Sequence, residues 1–64
     1  MFEEYDVVYS TIDIDNKVVV GTKGVIMMIL DLENEVYEVE FVDNENETIE
    51  VIEVKGTKIR KEKN

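Results

Sequence analysis

Apolar and polar residues alternate in short runs along most of this chain, and turn-forming residues separate the runs. Valine, isoleucine, tyrosine and phenylalanine fill the runs, aspartate, asparagine, glycine and glutamate lie between them, and proline and alanine do not occur. Runs of β-branched and aromatic residues at this spacing are typical of strands. The pattern predicts an all-β protein with no helix longer than about two turns.

Five short antiparallel strands are predicted from these runs, at residues 5–9, 25–30, 36–42, 48–54 and 57–60. A further run, Val18–Val20, leads into a segment with glycines at positions 21 and 24, which predicts a bend or bulge with positive φ. The adjacent apolar pair Val51-Ile52 breaks the alternation of its strand, which indicates a bulge or burial on both faces.

The alternation also predicts which side chains form the core. The predicted core residues are Val7, Val25, Val39, Phe41, Ile49 and Val51. Within residues 25–30 the inward-facing set stays open, because a change of one residue in the turn at 31–35 exchanges the two faces.

The number and length of the strands favour a small, strongly curved, five-stranded SH3-like barrel. An OB-type barrel is the nearest alternative, but it usually needs more residues and often a helix. Residues 1–60 are predicted to form one domain and residues 61–64 a frayed basic tail. A chain of 64 residues gains only about 3–5 kcal/mol from a single core.

Three motifs carry a resemblance that covers nearly the whole chain. They are Asp6-Val7-Val8, Gly21-Thr22-Lys23-Gly24-Val25-Ile26, and Tyr37-Glu38-Val39-Glu40-Phe41-Val42-Asp43 followed by Thr48. They resemble a bacterial family of short, uncharacterised SH3-like domains in which a DVV opening, a glycine-punctuated turn and a YEVEFVD hairpin recur. The resemblance implies a fold but no activity, because small barrels serve many functions.

One position departs from that family. The glycine usual in the turn after Asp43 is missing here, so Asn44 or Asn46 is expected to adopt the left-handed conformation.

The composition argues against catalysis and against a bound cofactor. The chain has no histidine, no cysteine and a single serine, Ser10, so neither a nucleophilic triad nor a zinc site is expected. Residues 13–17 begin like a calcium loop, but Lys17 stands where an oxygen ligand is needed. Residues 43–47 carry side-chain oxygens at alternate positions, a pattern that also suits weak cation binding. An acidic hairpin turn is the commoner explanation of this pattern. We therefore predict that the protein is not an enzyme and that it binds no cofactor and no metal.

Charge is distributed unevenly along the chain, whose net charge is -9. Ten carboxylates and no basic residue lie between Asp31 and Glu53, whereas five of the seven lysines and arginines lie in the last ten positions. Repulsion from the carboxylates is expected to prevent direct nucleic-acid binding by the basic tail. An acidic start and no long apolar run predict a cytoplasmic protein without membrane contact.

The hairpin of residues 36–54 is the predicted binding surface. If the loop at 43–47 joins the two strands directly, Glu40 lies opposite Glu50, a like-charge pair that destabilises the free domain. The predicted partner-binding residues are Glu38, Glu40, Asp43, Glu45, Glu47 and Glu50.

Such a surface suits a basic protein partner, for example a toxin or a nucleic-acid-acting enzyme that the domain neutralises, as immunity proteins or nucleic-acid mimics do. Two alternatives stay open. The domain is a structural accessory module that docks on a larger assembly with incidental charge, or the acidity only keeps a small β protein soluble.

Overall fold

The computed structural model describes residues 1–62 and shows a single five-stranded antiparallel sheet. The strands are β1 (Val7–Ser10), β2 (Lys23–Asp31), β3 (Val36–Val42), β4 (Thr48–Lys55) and β5 (Ile59–Lys61). Their order across the sheet is β4-β3-β2-β1-β5, so β4 and β5 are its two edges.

The predicted all-β class with five antiparallel strands is confirmed. Within residues 1–62 the one helical element is a 3-10 turn at Gly56–Lys58, where the sequence predicted part of the last strand. In the same residues the edge strands β4 and β5 do not pair with each other, and the sheet is open.

The core lies on one face of the sheet. Its fully buried side chains include Tyr37, Val39 and Phe41 from β3. The segment between β1 and β2 packs on this face through the buried Val18, and the ring of Phe2 packs edge-on against Tyr37 at 5.4 Å between centroids. The run at residues 18–20, which reads as strand-forming, therefore belongs to a loop that covers the core.

The predicted core is right on β3 and wrong on parts of its neighbours. Val39 and Phe41 are buried, and Ile49 packs partly buried against them. Val51, however, is 50% exposed, and its neighbour Ile52 packs against the core instead.

The same exchange of faces occurs on β1 and β2. Val8 and Ile26 are fully buried, whereas the predicted core residues Val7 and Val25 are half-buried on the opposite face. On β1 the alternation itself was assigned to the wrong face, because Val7 and Val8 are equally apolar and alternation does not distinguish them.

Bulges shift the register of β2 and β4 against β3. Pairing jumps between Ile26 and Met28 on β2, and Ile49 is the extra residue on β4, between the pairs Val42/Thr48 and Phe41/Glu50. One extra residue moves every following side chain to the other face of the sheet. Val51 is exposed for this reason.

Gly24 is the second residue of β2, where the sequence suggested a bend. A Cβ atom at this position would lie 2.7 Å from Cγ1 of Val39 and 2.9 Å from Cδ1 of Phe41. Glycine is required here by close packing, whereas Gly21, with φ of 85°, provides the positive φ that the sequence predicted.

Aspartate side chains organise the loop between β1 and β2. Oδ1 of Asp15 accepts hydrogen bonds from the backbone N–H groups of Lys17 (2.8 Å) and Val18 (2.9 Å). Oδ1 of Asp13 accepts one from Val20 (2.9 Å). The two aspartates that begin like a calcium loop thus bind backbone amides, Asp15 in an Asx turn and Asp13 across the loop.

The C-terminal residues join the sheet further along than the sequence predicted. Lys61, assigned to a frayed tail, belongs to β5 and forms an ion pair with Asp6 at 3.5 Å. The backbone N–H of Glu62 donates to the carbonyl of Val7 at 3.2 Å. The rest of the predicted tail, Lys63 and Asn64, lies outside the described residues.

Candidate protein-binding surface

The face of the sheet opposite the core carries an acidic stripe on β3 and β4. Residues directly opposite in an antiparallel pair share a face of the sheet. Glu38 lies opposite Glu53, and Glu40 lies opposite Val51. We call Glu38, Glu40 and Glu53 the acidic stripe.

The predicted opposition of Glu40 and Glu50 is wrong, because the bulge at Ile49 shifts the register by one residue. A like-charge pair does exist on this face, but it is formed by Glu38 and Glu53. Glu40 instead accepts a hydrogen bond at Oε2 from the hydroxyl of Thr48, which fixes the direction of its carboxylate.

Glu50 does not share the face of Glu38 and Glu40, contrary to the prediction. It lies opposite the buried Phe41, on the core side of the sheet. There its carboxyl group hydrogen-bonds that of Asp15, which raises the pKa of Glu50 and, together with two backbone N–H donors, lowers the pKa of Asp15. Asp15 of the loop over the core and Glu50 of β4 thus form a carboxyl pair whose two pKa values move in opposite directions.

The three predicted site residues of the turn lie at the end of the hairpin. Oδ1 of Asp43 accepts hydrogen bonds from the backbone N–H groups of Glu45 (2.8 Å) and Glu47 (3.0 Å). Asp43 therefore shapes the turn, whereas Glu45 and Glu47 are exposed. The predicted left-handed asparagine is confirmed at Asn46, with φ of 63°.

Apolar side chains lie beside the acidic stripe, and the sequence reading did not place them there. Val25 lies opposite Glu40, and Met28 lies opposite Glu38. Met28 is 48% exposed and Val51 50% exposed. The broken alternation at Val51-Ile52 was the available signal, because a bulge placed before this pair puts Val51 and Glu53 on the outer face.

The family Domain of unknown function (DUF4926) matches residues 4–61, nearly the whole chain. The chain belongs to this family. The resemblance to a short, uncharacterised domain family is thereby confirmed, and membership brings no activity with it. No curated protein and no solved structure is significantly similar to the chain.

Basic side chains of this DUF4926 domain lie at both edges of the sheet. Lys55 lies on β4, on the same face as Glu53, and Arg60 and Lys61 lie on β5 at the other edge. The guanidinium of Arg60 lies 4.9 Å from the ring centroid of Tyr9, whose hydroxyl donates to Glu62 at 2.8 Å. The one ion pair among residues 1–62 joins Lys61 and Asp6, also at that edge. The outer face therefore carries Lys55 beside the acidic stripe and Arg60 at the β5 edge, whereas Lys61 lies opposite the buried Val8, on the core side.

An open cleft of about 570 Å³ lies between the β1–β2 loop and the β3–β4 turn of the DUF4926 domain. Both Lys17 and Lys23 line it, as do Asp43 and Asn46, and Nζ of Lys23 donates to Oδ1 of Asn46 at 3.3 Å. Its charges are mixed, so the cleft does not extend the acidic stripe.

Among residues 1–62 of the DUF4926 domain, no group of three or more histidine, cysteine, aspartate or glutamate side chains is arranged to hold a metal ion. The same part of the chain contains no helix with the length and apolarity to cross a membrane.

Proposed function

We propose that this domain is a small acidic protein-binding module that neutralises a basic protein partner, as an immunity protein or a nucleic-acid-mimicking inhibitor does. The observation that supports it best is the opposition of Glu38 and Glu53 on an open sheet face. Like charges directly opposite one another cost the free domain stability. A lysine or arginine inserted between them removes that cost, so part of the binding free energy comes from relief of repulsion.

The spacing of the carboxylates suits this role. Glu38 and Glu40 are successive outward positions of β3, roughly 7 Å apart along the strand. Thr48 holds one of the two carboxylates in a defined direction. Ordered charges of one sign steer a basic partner toward the surface and can replace phosphates at its binding groups.

The decisive experiment measures how binding of the partner depends on salt concentration and on which glutamates of the domain are replaced. The immobilised domain is incubated with native lysate at about 0.01 M salt, and the bound protein is eluted at about 1 M salt. Between these two concentrations the Debye length falls from about 30 Å to about 3 Å. The eluted protein is then titrated with wild-type domain and with two double variants of equal charge, Glu38→Gln/Glu53→Gln and Glu3→Gln/Glu4→Gln.

We expect the stripe variant to weaken the complex by about 1–3 kcal/mol for each paired charge. The control variant, altered at exposed residues before β1, should change affinity far less. Equal losses in the two variants would show that only net charge matters. A complex insensitive to salt would exclude the acidic stripe as its binding surface.

A second candidate function is a structural accessory module that docks on a larger enzyme or assembly. Exposed apolar side chains near the β2–β3 turn favour it: Met28 is 48%, Leu30 44% and Leu32 54% exposed. Docking through these residues would be nearly insensitive to salt, and Leu32→Ser would weaken it while Glu38→Gln would not.

We further propose that the domain is an SH3-like barrel and that the protein is cytoplasmic. The strand order β4-β3-β2-β1-β5, with three consecutive hairpin-linked strands and β5 returning beside β1, supports an SH3-like barrel topology. The lack of cysteine in the sequence supports a reducing, cytoplasmic location, and the resemblance of its motifs to a bacterial family supports a bacterial source.

A further inference from the structure

The edge strand β4 offers an unpaired backbone to a partner. It spans eight residues, Thr48–Lys55, and pairs on one side with β3. Within residues 1–62 its other side makes no backbone hydrogen bond to another segment. An edge of this length with a half-exposed valine in its middle is a template for strand addition.

The opposite edge of the sheet is much shorter and offers fewer unpaired backbone groups. There β5 has only three residues, and two of them, Arg60 and Lys61, are exposed and charged. Short edge strands with lysine or arginine are a common protection against strand addition. The unpaired backbone N–H and C=O groups that a partner strand could bind therefore lie mainly on β4.

Side chains on both faces of β4 define what an added strand has to carry. On the outer face the edge presents Val51, Glu53 and, at its end, Lys55, with Glu38 directly behind Glu53 on the next strand. On the core face it presents Glu50, Ile52 and the nearly buried Val54.

A hollow of about 160 Å³ lies at the end of this edge, lined by Ile14, Val54 and Lys58 among others. An apolar side chain on the core face of an added strand, opposite Val54, would reach it. The geometry thus accommodates lysine or arginine on one face of the added segment and valine or isoleucine on the other.

We infer that β4 binds an extended, basic segment of the partner as a sixth strand of the sheet. The inference rests on the proposed function, because the basic partner comes from there, and it adds the mode of binding. Backbone hydrogen bonds to β4 provide affinity that does not depend on sequence, and Glu38 and Glu53 select for positive charge.

Charge decides between this occupant and a second copy of the chain. Two copies would each bring a net charge of -9, so they repel each other as they approach, whereas a basic segment is attracted to β4. Like charges across paired strands are destabilising, whereas lysine opposite glutamate is favourable.

The test uses the whole chain and three peptides of about ten residues, enough to cover a strand of ordinary length. The probe alternates lysine and valine. The second peptide has the same side chains but carries N-methyl groups in place of all internal backbone N–H groups. The third has glutamate in place of each lysine. Affinities are measured by titration at low salt, and amide hydrogen exchange locates the binding site.

Two single variants provide the matched control on the protein. Val51→Lys places a positive charge at the edge, and Val19→Lys places the same charge in the β1–β2 loop; the wild-type side chains are 50% and 51% exposed. We expect Val51→Lys to weaken binding of the lysine peptide at least about tenfold and Val19→Lys to change it little.

Strand addition also predicts that the N-methylated peptide binds at least about tenfold more weakly than the probe, because its backbone donors are gone. Backbone amides of β4 that point away from β3 should become protected from hydrogen exchange, and those of β5 should not. Equal binding of the N-methylated peptide, protection at β5, or no binding of the lysine peptide would each overturn the inference.

Failure of the proposed function gives a different result. If the glutamate peptide binds as well as the lysine peptide, with β4 protected, the edge is a docking site but the partner is not selected for positive charge. If both lysine peptides bind equally and Glu38→Gln/Glu53→Gln weakens both, the acidic stripe binds without strand addition. Sedimentation of the free protein as a dimer that Val51→Lys dissociates would instead assign the edge to a second copy.

Discussion

The pairing of Glu38 with Glu53 predicts an energetic coupling that reports the register of the hairpin. Cβ atoms of directly opposite residues lie about 4.5–5.5 Å apart. Two unit charges about 6 Å apart in water repel each other by about 0.7 kcal/mol before screening by salt. In a domain of this size that energy corresponds to about 3–6 °C in Tm.

The assay is a double-mutant cycle by thermal and urea unfolding at low salt, with Glu38→Gln, Glu53→Gln and the double variant. Either single change should stabilise the domain, and the second should add little once the repulsion has gone. We expect a coupling of about 0.5–0.7 kcal/mol. At about 1 M salt, where the Debye length is about 3 Å, most of the coupling should disappear.

A second cycle on Glu40 and Glu50 is the matched control, because it changes the net charge by the same amount. These two residues lie on opposite faces of the sheet, so their coupling should stay below about 0.3–0.5 kcal/mol. Strong coupling between Glu40 and Glu50 together with none between Glu38 and Glu53 would refute the shifted register and restore the hairpin without a bulge.

Three further predictions concern stability. Gly24→Ala should cost about 1–3 kcal/mol in urea unfolding, because its Cβ has no room; an unchanged midpoint would contradict the packing. Asn46→Val should cost about 1–2 kcal/mol, because Asn46 has positive φ, whereas Asn44→Val serves as the control and should be nearly neutral. The carboxyl pair makes Tm depend on pH: the pKa of Glu50 is raised above 4.5 and that of Asp15 lowered below 3.8. The contribution of Glu50 is present at low pH and lost as pH rises through its raised pKa, and that of Asp15 is lost as pH falls through its lowered pKa. Glu50→Gln should therefore remove the loss of Tm above pH 4.5, and an unaltered profile would exclude the pair as its cause.

Local features of this domain follow from the sequence, because they depend on residues close to one another in the chain. The strand at Val36–Val42 has the bounds that its alternation predicts. The turn at 43–47 has a left-handed asparagine, since the segment lacks glycine and asparagine tolerates positive φ better than most residues. The abundance of β-branched residues was likewise enough to predict an all-β chain.

The sequence also indicates most of the residues of the candidate site, but it does not indicate how they are arranged. Sequence alone indicates an acidic hairpin, and Glu38 and Glu40 do lie together on the outer face of β3. It assigned Glu50 to that face and left out Glu53, because both assignments depend on whether the hairpin contains an extra residue. Alternation within a single strand carries no information about such an insertion.

Only the tertiary structure decides the register, since bulges are selected by what packs across the sheet. The extra residue at Ile49 brings Ile52 and Val54 onto the core and turns Val51 outward. The same packing explains Gly24, where the side chains of Val39 and Phe41 fill the space that a Cβ would need. Chain-local preferences determine strands and turns, whereas the burial of apolar area shared between distant strands determines which face each side chain occupies.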